Sequence, residues 1–220
     1  MEVLLGVKRG SWREQELHED KAYLDARSKA LARDEYKCRV CGLQADKYQE
    51  AHHADDDHTN NDVSNIVTHC MWCHRCHHIG LAGQFELGYV GISTNRDHPL
   101  PPQGQINQYT RMYDWIAAHG RQNIPAHYIQ WAYTFEEYLV HCIAAAERVF
   151  GSAELSDFAE ILTTLDDNEY AKRGEMFSGV RLIHRRMEDL NEGANDFEKR
   201  ELERRKYWVG LLKQRLGSPK

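Results

Sequence analysis

Apolar positions recur at helical spacing through most of the second half of the chain and only in short runs before it. Ile129, Ala132, Tyr133, Leu139, Ile143, Ala146 and Phe150 predict a long helix over 126–150, opening after Pro125 and closing at Gly151. Tyr109, Tyr113 and Ile116 predict another over 107–119. Phe158, Ile161, Leu162 and Leu165 predict a shorter one capped by Ser156, and two more are expected over 180–190 and 196–216. In the first half, Ala22, Ala26, Ala30 and Ala32 give residues 21–34 strong helical propensity, with Leu24 and Leu31 as a narrow apolar side. Val3–Val7 and Tyr48–His53 read as strands, and Gly10-Ser11-Trp12-Arg13 as a turn with an anchoring aromatic. Met71–Ile79 reads as a helix ended by Gly80 and Gly83, and 80–91 as a hairpin or flexible loop.

Pro99, Pro101 and Pro102 cluster with Gly104, which predicts a linker over 96–106. The expected fold class is α+β. A small module over 1–95, with its own N-terminal strand and helix, precedes a mostly helical domain over 107–220. No internal repeat interrupts this plan.

A content of 41% hydrophobic and 28% charged residues is that of a soluble globular protein. No run approaches the roughly 18 apolar residues that cross a bilayer, and the opening Met1–Gly6 carries an acid where a signal peptide wants basic charge. The expected location is the cytoplasm, where thiols stay reduced and clustered cysteines favour metal over disulfides. The net charge of −6 argues against binding nucleic acid by bulk electrostatics; only residues 181–220, with 11 basic and 7 acidic side chains, offer a positive face.

Candidate chemistry concentrates between Cys38 and His78, where 41 residues hold five of six cysteines and seven of thirteen histidines. Cys38-x2-Cys41 and Cys70-x2-Cys73 supply four soft ligands for one tetrahedral structural zinc. Cys76 stands at the same spacing again, so a Cys73–Cys76 pair is the alternative; pairing Cys70 with Cys73 leaves His74 and His78 free to act together. Cys142, in an apolar helical run, reads as a plain buried thiol.

Four residues apart on a helix, His74 and His78 share a face, and His52 on the facing strand can be the third ligand of a second divalent metal with open positions. His53 points elsewhere on the strand and is the candidate general base, with Asn65 fixing the loop that orients it. His58, His69 and His77 are expected to be solvated or locally hydrogen-bonded, and Asp55-Asp56-Asp57 to be a solvated loop.

Together Cys38, Cys41, His52, His53, Asn65, Cys70, Cys73, His74 and His78 resemble the HNH nuclease motif, the ββα-metal finger in its zinc-knuckle variety. That resemblance implies one catalytic divalent cation (magnesium, nickel or zinc) and cleavage of nucleic-acid phosphodiesters.

A longer match resembles the IcmJ/DotN family of Dot/Icm-type (type IVB) secretion and related conjugation systems. It runs through Gly10-Ser11-Trp12-Arg13, Arg33-Asp34-x-Tyr36-x-Cys38-x2-Cys41-Gly42-x-Gln44-Ala45-x2-Tyr48-Gln49, and Thr59-Asn60-Asn61-x2-Ser64-Asn65-x-Val67-Thr68-x-Cys70-x2-Cys73-x2-Cys76. This resemblance implies a cytosolic subunit of the coupling complex, associated with the inner-membrane apparatus. Its implied partner is the C-terminal tail of the coupling-protein ATPase, and its implied role is assembly rather than chemistry, with the HNH nuclease as the alternative. Tyr109, Tyr113, Trp115, Trp131, Tyr133 and Tyr138 are candidates for an aromatic groove that takes a partner helix, although such residues more often form core.

Overall fold

A computed structural model describes residues 3–8, 20–190 and 196–216; the Gly10–Arg13 turn lies outside them. Asp20 caps the first helix, α1 (Lys21–Arg33), its carboxylate accepting from Ala22 N. The buried side of α1, with Tyr23, Ala26 and Ala30, packs on Ala51 and Ile66 of an antiparallel pair, β1 (Gln49–His53) and β2 (Ile66–Cys70). Ala51 faces Thr68 in the register, and Gln49 faces Cys70. α2 (Met71–His77) leaves β2 directly.

The chain breaks at His78 (φ −129°, ψ 48°) and re-enters helix as α3 (Ile79–Gln84). Gly80 and Gly83 therefore sit inside a helix rather than ending one. Gly83 is small because the next layer is close: a Cβ there would lie 2.3 Å from Ser156 N. The 80–91 stretch, read as a hairpin or loop, is thus α3 followed by β3 (Gly88–Gly91).

α4 (Gln103–His119) begins immediately after Pro102, four residues before the predicted start. α5 (Ala126–Phe150) has its predicted bounds and ends at Gly151, whose φ of +81° is the left-handed conformation glycine adopts without strain. α6 (Leu155–Thr164) is preceded by Glu154, so Ser156 lies in its first turn and is not its cap. α7 (Asp167–Ala171) carries a capping box between Asp166 and Glu169. α8 (Arg173–Met176) follows, then β4 (Arg181–His184) and α9 (Asp196–Leu216).

β4 replaces the first part of the helix expected over 180–190; a 3-10 turn at Met187–Asp189 follows it. It pairs antiparallel with β3, Gly88 facing His184 and Gly91 facing Arg181. Its other edge is closed by a side chain: Gln103 Nε2 donates to Leu182 O, and Leu182 N donates to Gln103 Oε1, both at 2.8 Å.

Val3–Val7 is extended but joins no sheet. Gly6 N donates to Cys76 O and Gly6 O accepts from Ile79 N, so this segment stitches the end of α2 to the start of α3. The mixed α+β class holds. Across 96–106, elements of the two halves interlock, since β3 pairs with β4 and α9 closes on the cysteine-bearing knuckles through Trp208. Cys142 is buried against Leu139 and Ile183, as a plain apolar thiol would be.

Candidate metal centres

The first knuckle is built by backbone bonds. Cys38 N donates to Leu43 O, and Gly42 N to Cys38 O, with Gly42 at φ +72°. Side chains of the quoted motif hold it in place. Gln49 Nε2 donates to Tyr36 O and Leu43 O, and Gln44 Nε2 to Glu35 O. Arg33 forks onto Asp34 and also reaches Val63 O and Ile66 O, which locks the end of α1 to β2.

This framework brings Cys38, Cys41, Cys70 and Cys73 together, their sulfurs all within 4.8 Å of one another and buried. The Cys41–Cys70 sulfur separation is 3.6 Å. Four sulfurs about 2.3 Å from a tetrahedral ion stand roughly 3.8 Å apart, so the quartet fits such a cation.

Two donors arrive from α4. Asn107 Nδ2 lies 3.2 Å from Cys73 Sγ and 3.9 Å from Cys76 Sγ, and Arg111 Nη1 lies 3.4 Å from Cys41 Sγ and 4.0 Å from Cys70 Sγ. Burial alone would lower the Arg111 pKa; the sulfurs more than offset it. Cys76 stands outside the quartet: its thiol donates to Trp72 O, and burial pushes its pKa up to about 12.

Across α2, the seven histidines of the segment form one contacting cluster. His52, His74 and His78 place ring nitrogens within 4.8 Å of one another. Their planes are steeply inclined: 76° between His52 and His74, 80° between His52 and His78, 55° between His74 and His78. Imidazole lone pairs lie in the ring plane, so inclined rings can converge on one cation. Burial, then the neighbouring rings, push His52 and His74 far below the ordinary histidine range, which leaves them neutral as ligands must be.

These three open onto a cleft of about 270 Å³. His53 lines it too, stacked on Tyr23 and on His58, with Nε2 3.1 Å from Asn61 Oδ1. Asn65 bonds the backbone at Asp55 N and Asn60 O, bracing the loop that carries Asn61.

His69 and His77 depart from expectation. They are packed against His52 in a stack, and His69 is 1% exposed with neither ring nitrogen hydrogen-bonded. Burial brings His69 down to about 4.

The chain is similar to the type 4 apparatus protein DotN of Legionella pneumophila. Identity is 28% over 186 residues, covering 83% of each protein. No family model matches the chain. The similarity to DotN extends well past residues 10–80 and supports the resemblance to the IcmJ/DotN family.

Of the aromatic residues proposed for docking, Tyr109 and Tyr113 are buried core, Trp131 is 52% exposed, and Trp115, Tyr133 and Tyr138 are half-buried. Tyr109 and Tyr113 form one wall of a second groove, of about 260 Å³, between α4, α5 and β4. Site residues missed by the sequence reading are Asn107 and Arg111, which reach the sulfurs, and Asp56, whose Oδ1 lies 3.6 Å from His52 Nε2. The one available signal for the α4 pair was their four-residue spacing, which puts both on one helical face.

Proposed function

We propose that the protein is a component of a type IVB secretion or conjugation coupling complex, which docks the C-terminal tail of the coupling-protein ATPase. The similarity to DotN across 83% of both chains carries this reading. On it, Cys38, Cys41, Cys70 and Cys73 hold a structural zinc that rigidifies the scaffold, and the protein works in the cytoplasm against the inner-membrane apparatus. No helix among the described residues is long and apolar enough to cross a membrane.

The tail would enter the groove between α4, α5 and β4, where Leu139, Ile143 and Ile183 offer apolar contact and Val140 is 57% exposed at the rim. An amphipathic helix is the natural occupant of such a groove. Co-purification with the full-length coupling ATPase of the same organism tests this. Capture that is lost on Val140→Asp supports the reading; failure to capture that ATPase sinks it.

A second reading is a metal-dependent nuclease of HNH type, favoured by the convergence of His52, His74 and His78 beside His53 in one cleft. A divalent cation held there would polarise a phosphate oxygen. His53, positioned by Asn61 and Tyr23, would accept a proton from water, and Asn65 would hold the loop behind it. Glu50 and Glu201 line the cleft paired with Arg204 and Arg75, so those arginines are not free for a phosphate backbone, and the chain as a whole carries a net charge of −6; we rank this second. Plasmid cleavage with added divalent metal, abolished by His53→Ala, would establish it. One zinc per chain and no cleavage with any metal would dismiss it.

A further inference from the structure

We propose that Asp56 is the carboxylate that orients His52 toward the cation of the histidine cleft. The inference rests on the second-metal reading of that cleft and names a residue that neither family resemblance assigns.

The three consecutive acids have different fates. Asp55 accepts from Asp57 N, Asn60 and Asn65, and Asp57 accepts from Thr59, so both are spent on the turn. Asp56 between them stands at φ +60°, a left-handed conformation that costs a residue with a Cβ. Its carboxylate, 43% exposed, sits at the rim of the histidine cluster. Oδ1 lies 3.6 Å from His52 Nε2, and Oδ2 lies 3.8 Å from Arg173 Nη2 on α8, 117 residues further along.

His52 is constrained on its face as well as its edge. His77 stacks on it with centroids 3.9 Å apart and planes 25° apart. The same near-parallel stacking argues against His77 as a joint ligand with His52 and Asp56, although the three lie within 4.8 Å. Lone pairs of stacked rings run side by side and do not converge.

A buried neutral imidazole has one N–H and one lone pair. A carboxylate at Nε2 selects the tautomer with its proton there and leaves Nδ1 for a cation shared with His74 and His78. At 3.6 Å the neutral N–H and the carboxylate face each other at more than hydrogen-bond distance. The N–H grows more acidic when Nδ1 gives its lone pair to a cation, so the pair strengthens on loading. Three imidazoles with no oxygen ligand favour a borderline ion such as nickel or zinc over magnesium.

The test uses the full chain with its cysteine zinc in place, titrated with Ni2+ by calorimetry. Asp56→Gly removes the carboxylate and tolerates the left-handed backbone. Wild type should take up one further equivalent, and Asp56→Gly should bind it about 10–100-fold more weakly. His77→Phe, which keeps a stacked ring, should bind like wild type. Histidine nitrogen NMR of the wild type should show His52 protonated at Nε2, a preference lost in Asp56→Gly, which a merely structural role would not produce. If wild type takes up no second equivalent, the second-metal reading falls and the role of Asp56 with it. If it does and Asp56→Gly matches it, or His52 is protonated at Nδ1, the Asp56 inference alone falls. Loss of the site in His77→Phe would make His77 a ligand and overturn the assignment.

Discussion

Arg75, Glu201, Arg205 and Asp114 form a buried ion network, and it shows how much a single residue of this chain can carry. Arg75 and Arg205 both bond Glu201 at 2.8 Å, and Arg205 also reaches Asp114 at 3.3 Å. Burial alone would raise the Glu201 pKa, but the Arg75 and Arg205 charges pull it down to about 2. Glu201→Gln leaves two guanidiniums buried with half their counter-charge, and should cost about 3–5 kcal/mol at neutral pH. Glu201 ionises near 4.3 in an unfolded chain, so its contribution is full above that value and fades as pH falls toward about 2. Asp114 works in the opposite sense, because burial raises its pKa despite Arg205. The stability gap between wild type and Glu201→Gln, read by urea unfolding, should be flat from about pH 7 to 5 and shrink below about 4. Acid release of metal weakens both proteins alike and drops out of the difference. A gap indifferent to pH across that range would mean that Glu201 is not the linked group. Neither this network nor the burial of His69 was legible in the sequence. The network joins Arg75 to Glu201 across 126 residues and Asp114 to Arg205 across 91, and His69 is buried by packing behind a strand; local pattern carries neither.

Helices announced themselves wherever one face was apolar over several turns. α5 and α9 have the bounds that periodicity predicts, and α1 stops one residue short. β4 was misread because Leu182 and Ile183 are both buried, packing into different cores on opposite faces, so the strand shows no alternation. α3 was missed because glycine at two of its six positions mimics a helix end. The two kinds of helical glycine can be told apart by substitution. At Gly83 an added Cβ would meet the backbone of Leu155 and Ser156 at 2.8 and 2.3 Å, and backbone cannot swing aside. Gly83→Ala should therefore force α3 off α6 and cost about 1–3 kcal/mol. At Gly210, inside α9, nothing lies within 4 Å, so Gly210→Ala should add about 1 kcal/mol of stability from helix propensity alone. Thermal midpoints moving in opposite directions would bear this out; a neutral Gly83→Ala would show that α3 and α6 are not in close register.

Over the whole molecule, the cysteine quartet is where the two halves of the chain meet. Its sulfurs come from residues 38–73, but Asn107 and Arg111 on α4 contact them, and Trp72, between two of the cysteines, packs edge-on against Trp208 of α9. The grouping of the four cysteines was legible from spacing alone; their contacts with α4 and α9 were not, because those helices read as ordinary amphipathic segments. A four-thiolate zinc site carries a net charge of −2, and Arg111 is the buried cation beside it. With the metal gone the sulfurs take protons, and Arg111 is left in the interior without its counter-charge. Metal loss should therefore reach beyond the knuckles. Stripping any metal held by the quartet with a strong chelator, its presence and loss followed by metal analysis, should lower the thermal midpoint of the whole chain and reduce amide-exchange protection in α4 and α9 together with β2. Arg111→Met keeps the apolar stem and removes the charge, so it should weaken retention of the metal by about 10–100-fold while the metal-loaded fold persists. If α4 and α9 kept full protection after the metal was gone, it would serve the knuckles alone, and the contacts from Asn107 and Arg111 would be packing without consequence for the scaffold.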